Sequence, residues 1–284
     1  MEQFKIAILS GKGGTGKTFI AVNLASVITN GCYIDCDVEE PNGNLFFKSN
    51  DDEEQIVTVD IPIIHRELCN NCRICSDFCQ YNALFFLMDR ILVIENLCHS
   101  CGGCQLLCPQ HAIQYTKKTI GSIKKGTTNS GRIMTGILHP TYPTGIPILK
   151  ELFSQVNQNT TILDCPPGTG CSVIECVKYS DFCLLVAEDS LFGLHNLKMT
   201  YELVKLFHKP HAILINKFIS ESFIESFCTK ENIPIIDRIP FNWKIASLLS
   251  QGKILVHEDI QYAKVFQKYL NKIEEIYHEE TSHS

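Results

Sequence analysis

The chain has 284 residues, 45% of them hydrophobic and 20% charged, and a formal net charge of −6. Its apolar content suffices for one large or two modest cores, while the acidic balance and scattered lysines offer no basic surface, so no nucleic-acid partner is expected. No apolar run approaches the roughly 18 residues of a spanning helix, and Met1-Glu2-Gln3-Phe4-Lys5 leads into a strand rather than a secretory signal; the expectation is a cytoplasmic protein without direct membrane insertion.

Lys5 to Ser10 is a short apolar run that predicts a strand, followed by a glycine-rich loop and by Phe19 to Ile28 with helical periodicity. Gly31 to Asp35 reads as the next strand. The alternation then pauses, and resumes with a helix over Pro147 to Val156 and a strand over Thr161 to Asp164. Further strands are predicted at Phe182 to Ala187, His211 to Asn216 and Ile235 to Ile239, with helices between. The last helix, about Asp259 to His278, is charged on most faces, and its glutamates argue against a basic membrane-lying anchor. Such alternation predicts an α/β fold with a doubly wound, mainly parallel sheet.

The pause holds an internal repeat. Each half is a cysteine-rich loop followed by a short similar tail, Tyr81-Asn82-Ala83-Leu84 in the first and Pro109-Gln110-His111-Ala112-Ile113 in the second. The runs are Cys69-x2-Cys72-x2-Cys75-x3-Cys79 and Cys98-x2-Cys101-x2-Cys104-x3-Cys108-Pro109. This spacing is that of a two-cluster ferredoxin, in which three cysteines of one run and the fourth of the other hold each [4Fe–4S] cluster. One cluster would take Cys69, Cys72, Cys75 and Cys108, and the other Cys98, Cys101, Cys104 and Cys79. Two all-cysteine zinc sites would also use eight thiolates, but zinc sites rarely space four cysteines in this way. Gln80 stands where proline usually follows the last cysteine, which removes no ligand. The expected organisation is an ATPase-type domain in two parts, 1–60 and 119–284, around an α+β ferredoxin-like insert at 61–118. Gly121 to His139 is expected to return the chain to the sheet through short strands.

Ser10-Gly11-Lys12-Gly13-Gly14-Thr15-Gly16-Lys17-Thr18 fits G-x4-G-K-[ST] between strand and helix. Its glycines let backbone N–H groups wrap phosphate oxygens at a helix N-terminus. Lys17 is expected at the β- and γ-phosphates and Thr18 on Mg²⁺.

With Lys12 as a second lysine, the loop resembles the deviant Walker A of the MinD/Mrp/nitrogenase iron-protein group. Tyr33-Ile34-Asp35-Cys36-Asp37-Val38-Glu39-Glu40-Pro41-Asn42 is similar to that group's switch I, and Ile162-Leu163-Asp164-Cys165-Pro166-Pro167-Gly168 to its Walker B and switch II. Together with both cysteine runs and Phe192-Gly193-Leu194-His195, these segments resemble MinD-superfamily ATPases that carry an inserted ferredoxin domain. The resemblance implies a homodimer with ATP at its interface, across which Lys12 reaches the partner's nucleotide. It further implies that Asp35 and Asp164 hold Mg²⁺ through water, that Asp37 orients the attacking water, and that Asn216, in Ile215-Asn216-Lys217, recognises the base. Arg238-Ile239-Pro240-Phe241 resembles the other adenine-side segment.

Seven cysteines lie outside the runs: Cys32, Cys36, Cys165, Cys171, Cys176, Cys183 and Cys228. Most are expected to be small buried hydrophobes. Cys171 lies beyond switch II, where the resembling nitrogenase iron protein has a cysteine that bridges its dimer; the second cysteine such a site needs is absent between Cys108 and Cys165. His195 is expected to be a polar residue near a helix start. The functional expectation is an ATPase that couples dimer switching to electron transfer with a redox partner protein. The alternatives are an ATP-dependent carrier that serves an iron–sulfur client, and a MinD-like positioning ATPase.

Overall fold

Strand β1 (Phe4–Leu9) runs through the glycine loop into helix α1 (Lys17–Val27), and β2 (Gly31–Asp35) follows, all within two residues of expectation in a computed structural model that describes residues 3–157, 160–218 and 223–282. A long strand, β3 (Asn50–Ile64), then carries the chain to the cysteine-bearing segment, which holds α2 (Ile74–Phe78), β4 (Leu84–Leu87), β5 (Arg90–Val93) and α3 (Gly103–Leu106). The return is β6 (Ile113–Thr128), followed by β7 (Gly131–Leu138) and α4 (Ile146–Ser154). Strands β8 (Thr160–Asp164), β9 (Phe182–Glu188), β10 (His211–Phe218) and β11 (Ile235–Pro240) then alternate with α5 (Cys171–Tyr179), α6 (Leu191–Leu206) and α7 (Phe223–Glu231). Helices α8 (Trp243–Ser250), α9 (Leu255–Glu258) and α10 (Ile260–Ser282) close the described chain.

The sheet order is β11-β10-β9-β1-β8-β2-β7-β6-β3. From β11 to β7 every pairing is parallel; β6 and β3 add two antiparallel strands at one edge. Along β1, Ala7 and Leu9 belong to the core on one face and Ile6 and Ile8 to the core on the other, as a sheet covered on both sides requires. Helix α1 is buried nearly all round because α10 covers its outer side. Phe266, Tyr269, Leu270 and Ile273 form the buried stripe of α10, with Phe266 edge-on to Phe19 at 5.9 Å. That helix is therefore amphipathic rather than charged on most faces. Among the described residues no helix is long and apolar enough to cross a membrane.

The edge strands depart from the sequence expectation. No strand was predicted over 50–60, and Gly121 to His139 was expected to form short strands. Instead β3 and β6 form one antiparallel ladder from Asn50↔Thr127 to Ile64↔Ile113, and it crosses the limits at 60/61 and 118/119 without a break. Val57 pairs with Gly121 and Thr58 with Thr119, so buried Ile120 is the extra residue of a bulge, which locally sharpens the twist. The cysteine-bearing segment is thus mounted on a two-stranded ribbon continuous with the main sheet.

Candidate nucleotide site and cysteine segment

The glycine loop lies at the carboxyl ends of β1, β8 and β2, where parallel sheets bind ligands. Gly16 caps α1 at φ 93°, and a Cβ there would fall 2.2 Å from Nδ2 of Asn216, so the position admits only glycine. Asn216, from the end of β10, donates through Nδ2 to the Thr15 carbonyl at 2.7 Å, and Lys217 donates through Nζ to the Gly14 carbonyl at 2.8 Å. Asn216 therefore buttresses the back of the loop. Gly13 and Gly14 are exposed, Gly11 and Thr18 are half-buried, and the buried Thr15 hydroxyl has no hydrogen-bond partner among the described residues.

Behind the loop, Lys17 Nζ lies 2.6 Å from Asp164 Oδ1, while the Tyr33 hydroxyl donates to Asp164 Oδ2 at 2.9 Å. Burial works against the charge on Lys17, but Asp164, with Cys165 and Asp35 behind it, outweighs that effect and raises its pKa. Asp35 accepts the backbone N–H groups of Asp37, Asn42 and Gly43 at 3.1, 2.9 and 2.7 Å, which wraps the 37–43 segment around its carboxylate. Burial and then the neighbouring Asp164 push the Asp35 carboxyl up to about 7. Burial also raises Asp37, which is half-buried at the mouth of a cleft. Two buried carboxylates share one lysine, an arrangement short of positive charge.

Lys12 Nζ lies 3.4 Å from Oε1 of Glu188 in its own chain and 5.1 Å from the ring centre of Phe192. Glu188 also meets Lys217 at 3.2 Å; burial opposes its charge, but Lys217 and Lys12 together hold its pKa below the usual range. Tyr33, Glu188 and Lys217 were not singled out by sequence. They act over long separations; Tyr33 and Lys217 lie within segments that carry the resemblance, and Glu188 lies in none.

The two cysteine runs share one backbone design. Positive φ recurs at matching positions, Asn71 with Ser100, Arg73 with Gly102 and Asn82 with His111. Ala83 N–H donates to Cys79 Sγ at 3.4 Å, and Ala112 N–H to Cys108 Sγ at 3.3 Å. The halves interlock: His65 N–H bonds the Ala112 carbonyl and Ile94 N–H the Ala83 carbonyl, both at 2.8 Å. Cys75 and Cys104 are buried, Cys72 and Cys101 exposed, and Cys69, Cys79 and Cys108 partly buried; Cys98 is buried as well. Cys69, Cys72, Cys75 and Cys108 line one small cavity with Ile64, Ile91 and Ile113. Burial pushes the Cys75 thiol up to about 11 and raises Cys98 and Cys104. Among the described residues no three His, Cys, Asp or Glu side chains are grouped so as to hold a metal ion.

A cleft of about 840 Å³ lies between the two regions, bounded by Cys36 to Glu40, by Pro166, Pro167 and Gly170 to Val173, by Tyr81 just after the first cysteine run and by His99 of the second. Tyr81 and His99 stack with ring centres 3.7 Å apart. Cys171 is exposed on this cleft, whereas the other six cysteines outside the runs are buried, as expected for most of them. His195 is exposed in the first turns of α6.

Comparison with known proteins gives a consistent picture. The chain is 29% identical to uncharacterized protein MJ0578 of Methanocaldococcus jannaschii, covering 95% of this chain and 96% of that one. It is 22% identical to an iron-sulfur cluster carrier protein of Pyrococcus horikoshii, covering 96% and 88%. Among solved structures it resembles the septum site-determining protein MinD of Pyrococcus horikoshii OT3, complexed with Mg-ADP, at TM-score 0.56 and 14% identity, covering 95% and 96%. The family described as the CobQ/CobB/MinD/ParA nucleotide binding domain matches residues 6–256, and this chain belongs to it.

Proposed function

We propose that the chain is an ATP-hydrolysing iron–sulfur protein in which movement of the switch segments is coupled to electron transfer through two [4Fe–4S] clusters. The cleft carries this reading, because the segments that sense nucleotide in such folds and the aromatic residues of both cysteine runs are walls of one space. The domain limits proposed from sequence, 1–60, 61–118 and 119–284, describe this division of labour.

The glycine loop fits a nucleotide. Its unpaired Thr15 hydroxyl costs about 1–3 kcal/mol while buried and unsatisfied, and suits a phosphate oxygen. Lys17 exchanges Asp164 for the β- and γ-phosphates, and Asp37 orients the attacking water. Lys12 leaves Glu188 to reach the nucleotide of a second copy in a homodimer, and Asn216 flanks the base. Thr18, Asp35 and Asp164 hold Mg²⁺, directly or through water, which answers the shortage of positive charge between the two carboxylates. When bound, Mg²⁺ neutralises charge that develops on the phosphate oxygens.

The cysteine segment fits clusters. Backbone N–H groups point at Cys79, Cys98 and Cys108 sulfurs, and one predicted set of four lines one cavity. A cube-shaped cluster takes its four thiolates at separate corners, so convergence on one ion is not required. Cys69, Cys72, Cys75 and Cys108 hold one cluster, and Cys98, Cys101, Cys104 and Cys79 the other; bound clusters carry single electrons.

A second reading, a cluster carrier for an iron–sulfur client, is favoured by the exposure of Cys72 and Cys101 and by the carrier relative. The ATP hydrolysis rate of anaerobically purified, iron-replete protein, before and after dithionite reduction, separates the two. A rate that changes with reduction is expected. An unchanged rate, with iron passing to an apo-protein, would favour the carrier.

A further inference from the structure

The two cysteine sets are alike in backbone but not in their attachment. The hydrogen bonds of Cys69 to Cys79 end inside the cysteine segment, as with Asn71 Nδ2 to the Asp89 carbonyl at 2.9 Å. In the second run, the Tyr142 hydroxyl donates to the Cys98 carbonyl at 3.0 Å and lies 3.4 Å from the Ser100 hydroxyl. Tyr142 is buried in the β7–α4 loop, 44 residues away in sequence. Cys98 and Ala83 accordingly belong to the main core with Tyr142, Val38 and Leu138, whereas Cys75 and Cys104 belong to a separate small core with Leu84, Ile91 and Ile113.

The loop that carries Tyr142 also grips switch I. Leu138 N–H donates to the Val38 carbonyl at 2.8 Å. The Val38 side chain fills a slot between two glycines: a Cβ on Gly136 would fall 2.6 Å from its Cγ1, and one on Gly145 2.2 Å from its Cγ2. Val38 follows Asp37 directly and is packed against both glycines. Packed interiors shift between discrete arrangements rather than deform smoothly, so a displacement of Asp37 and Val38 must carry the Leu138–Gly145 loop with it.

We propose that Tyr142 is a positioning residue that links switch I to the Cys98 run alone. Nucleotide at the glycine loop then alters one of the two cysteine sets, Cys98, Cys101, Cys104 and Cys79, and leaves the set of Cys69, Cys72, Cys75 and Cys108 unchanged. This rests on the proposed reading that the cysteines hold clusters. By linkage, the redox state of the Cys98 set changes nucleotide affinity by the same factor, and that of the Cys69 set does not.

The test uses iron-replete full-length protein with and without Mg²⁺ and a non-hydrolysable ATP analogue. Electron paramagnetic resonance of the dithionite-reduced protein should show one of two cluster signals shifting on nucleotide addition. Amide hydrogen exchange, read in parallel, should change over residues 98–104 and stay constant over 69–75. Tyr142→Phe keeps the ring and removes the hydroxyl; it should retain iron and nucleotide binding but lose both responses. Ser100→Ala, which removes only the weaker contact, should reduce them partially. Equal responses from both sets, or a full response in Tyr142→Phe, would overturn the proposal. Purified protein without iron would instead sink the cluster reading, and the exchange measurement would still decide the route.

Discussion

The glycine loop and the two cysteine runs both depend on backbone in the left-handed region, yet they are held in opposite ways. Around the loop, Lys17, Tyr33 and three backbone N–H groups account for both aspartates, and the ends of β1, β8 and β2 that lead to it are buried. The cysteine segment has a separate core of Cys75, Leu84, Ile91, Cys104 and Ile113, two of which are proposed ligands. So small a core stabilises little by apolar burial alone. The aspartates behind the glycine loop are thus held by the protein's own groups, whereas the cysteine segment has only this small core of its own, which suits the proposal that its thiolates hold clusters.

Removing the proposed clusters should break the comparison most visibly. Iron chelation is expected to abolish brown absorbance and to unfold the segment locally, with hydrogen-exchange protection lost over 65–112 and kept over β1, β8 and β9, while Cys75→Ala should lower absorbance and iron content by about half. Protection retained in the segment without iron would show that protein packing suffices there. Lys17→Ala is the reciprocal experiment: hydrolysis should fall by at least about 10³-fold, given the weight of charge stabilisation in phosphoryl transfer, with iron content unchanged. Loss of both together would mean that the regions are not separable.

A smaller effect follows from the raised Asp35 carboxyl. Its folded pKa of about 7 lies above the ordinary 3.8, so its contribution to stability is complete below pH 3.8 and is lost as pH rises towards 7. Nucleotide-free protein should lose about 1–3 kcal/mol from this source between pH 5 and pH 8, recoverable with Mg²⁺ and nucleotide. Urea unfolding across that range checks it, and Asp35→Asn should flatten the slope. Smallest is Tyr33→Phe, which removes one hydrogen bond to Asp164: about 1 kcal/mol, read as a roughly fivefold fall in kcat at constant iron content. An unchanged kcat would leave Lys17 as the sole orienting partner of Asp164.

The parallel core was legible because buried parallel strands are continuous apolar runs, and β1, β2 and β8 were predicted to within two residues. Strand β3 was not: its first five residues include four acidic ones, Ile56 lies exposed on the face opposite Val57, Val59 and Ile61, and Ile63 is exposed on their own face, which blurs the period-two signal. The period was present in that inward series and would have predicted the ribbon.

The sequence by itself determined the groups whose chemistry demands a residue type at a spacing. Glycines must sit where a backbone wraps phosphate, and cysteines must repeat where a tight loop gathers thiolates, so both show in a linear pattern. It also determined the alternation of strand and helix, since burial on two faces dictates composition. Tertiary structure alone decided what supports and joins these groups. Tyr33 meets Asp164 across 131 residues, Asn216 backs the glycine loop across 201, and Tyr142 holds the Cys98 run across 44. Such contacts need only one donor in reach of one acceptor, a requirement that many side chains satisfy and that leaves no spacing to read.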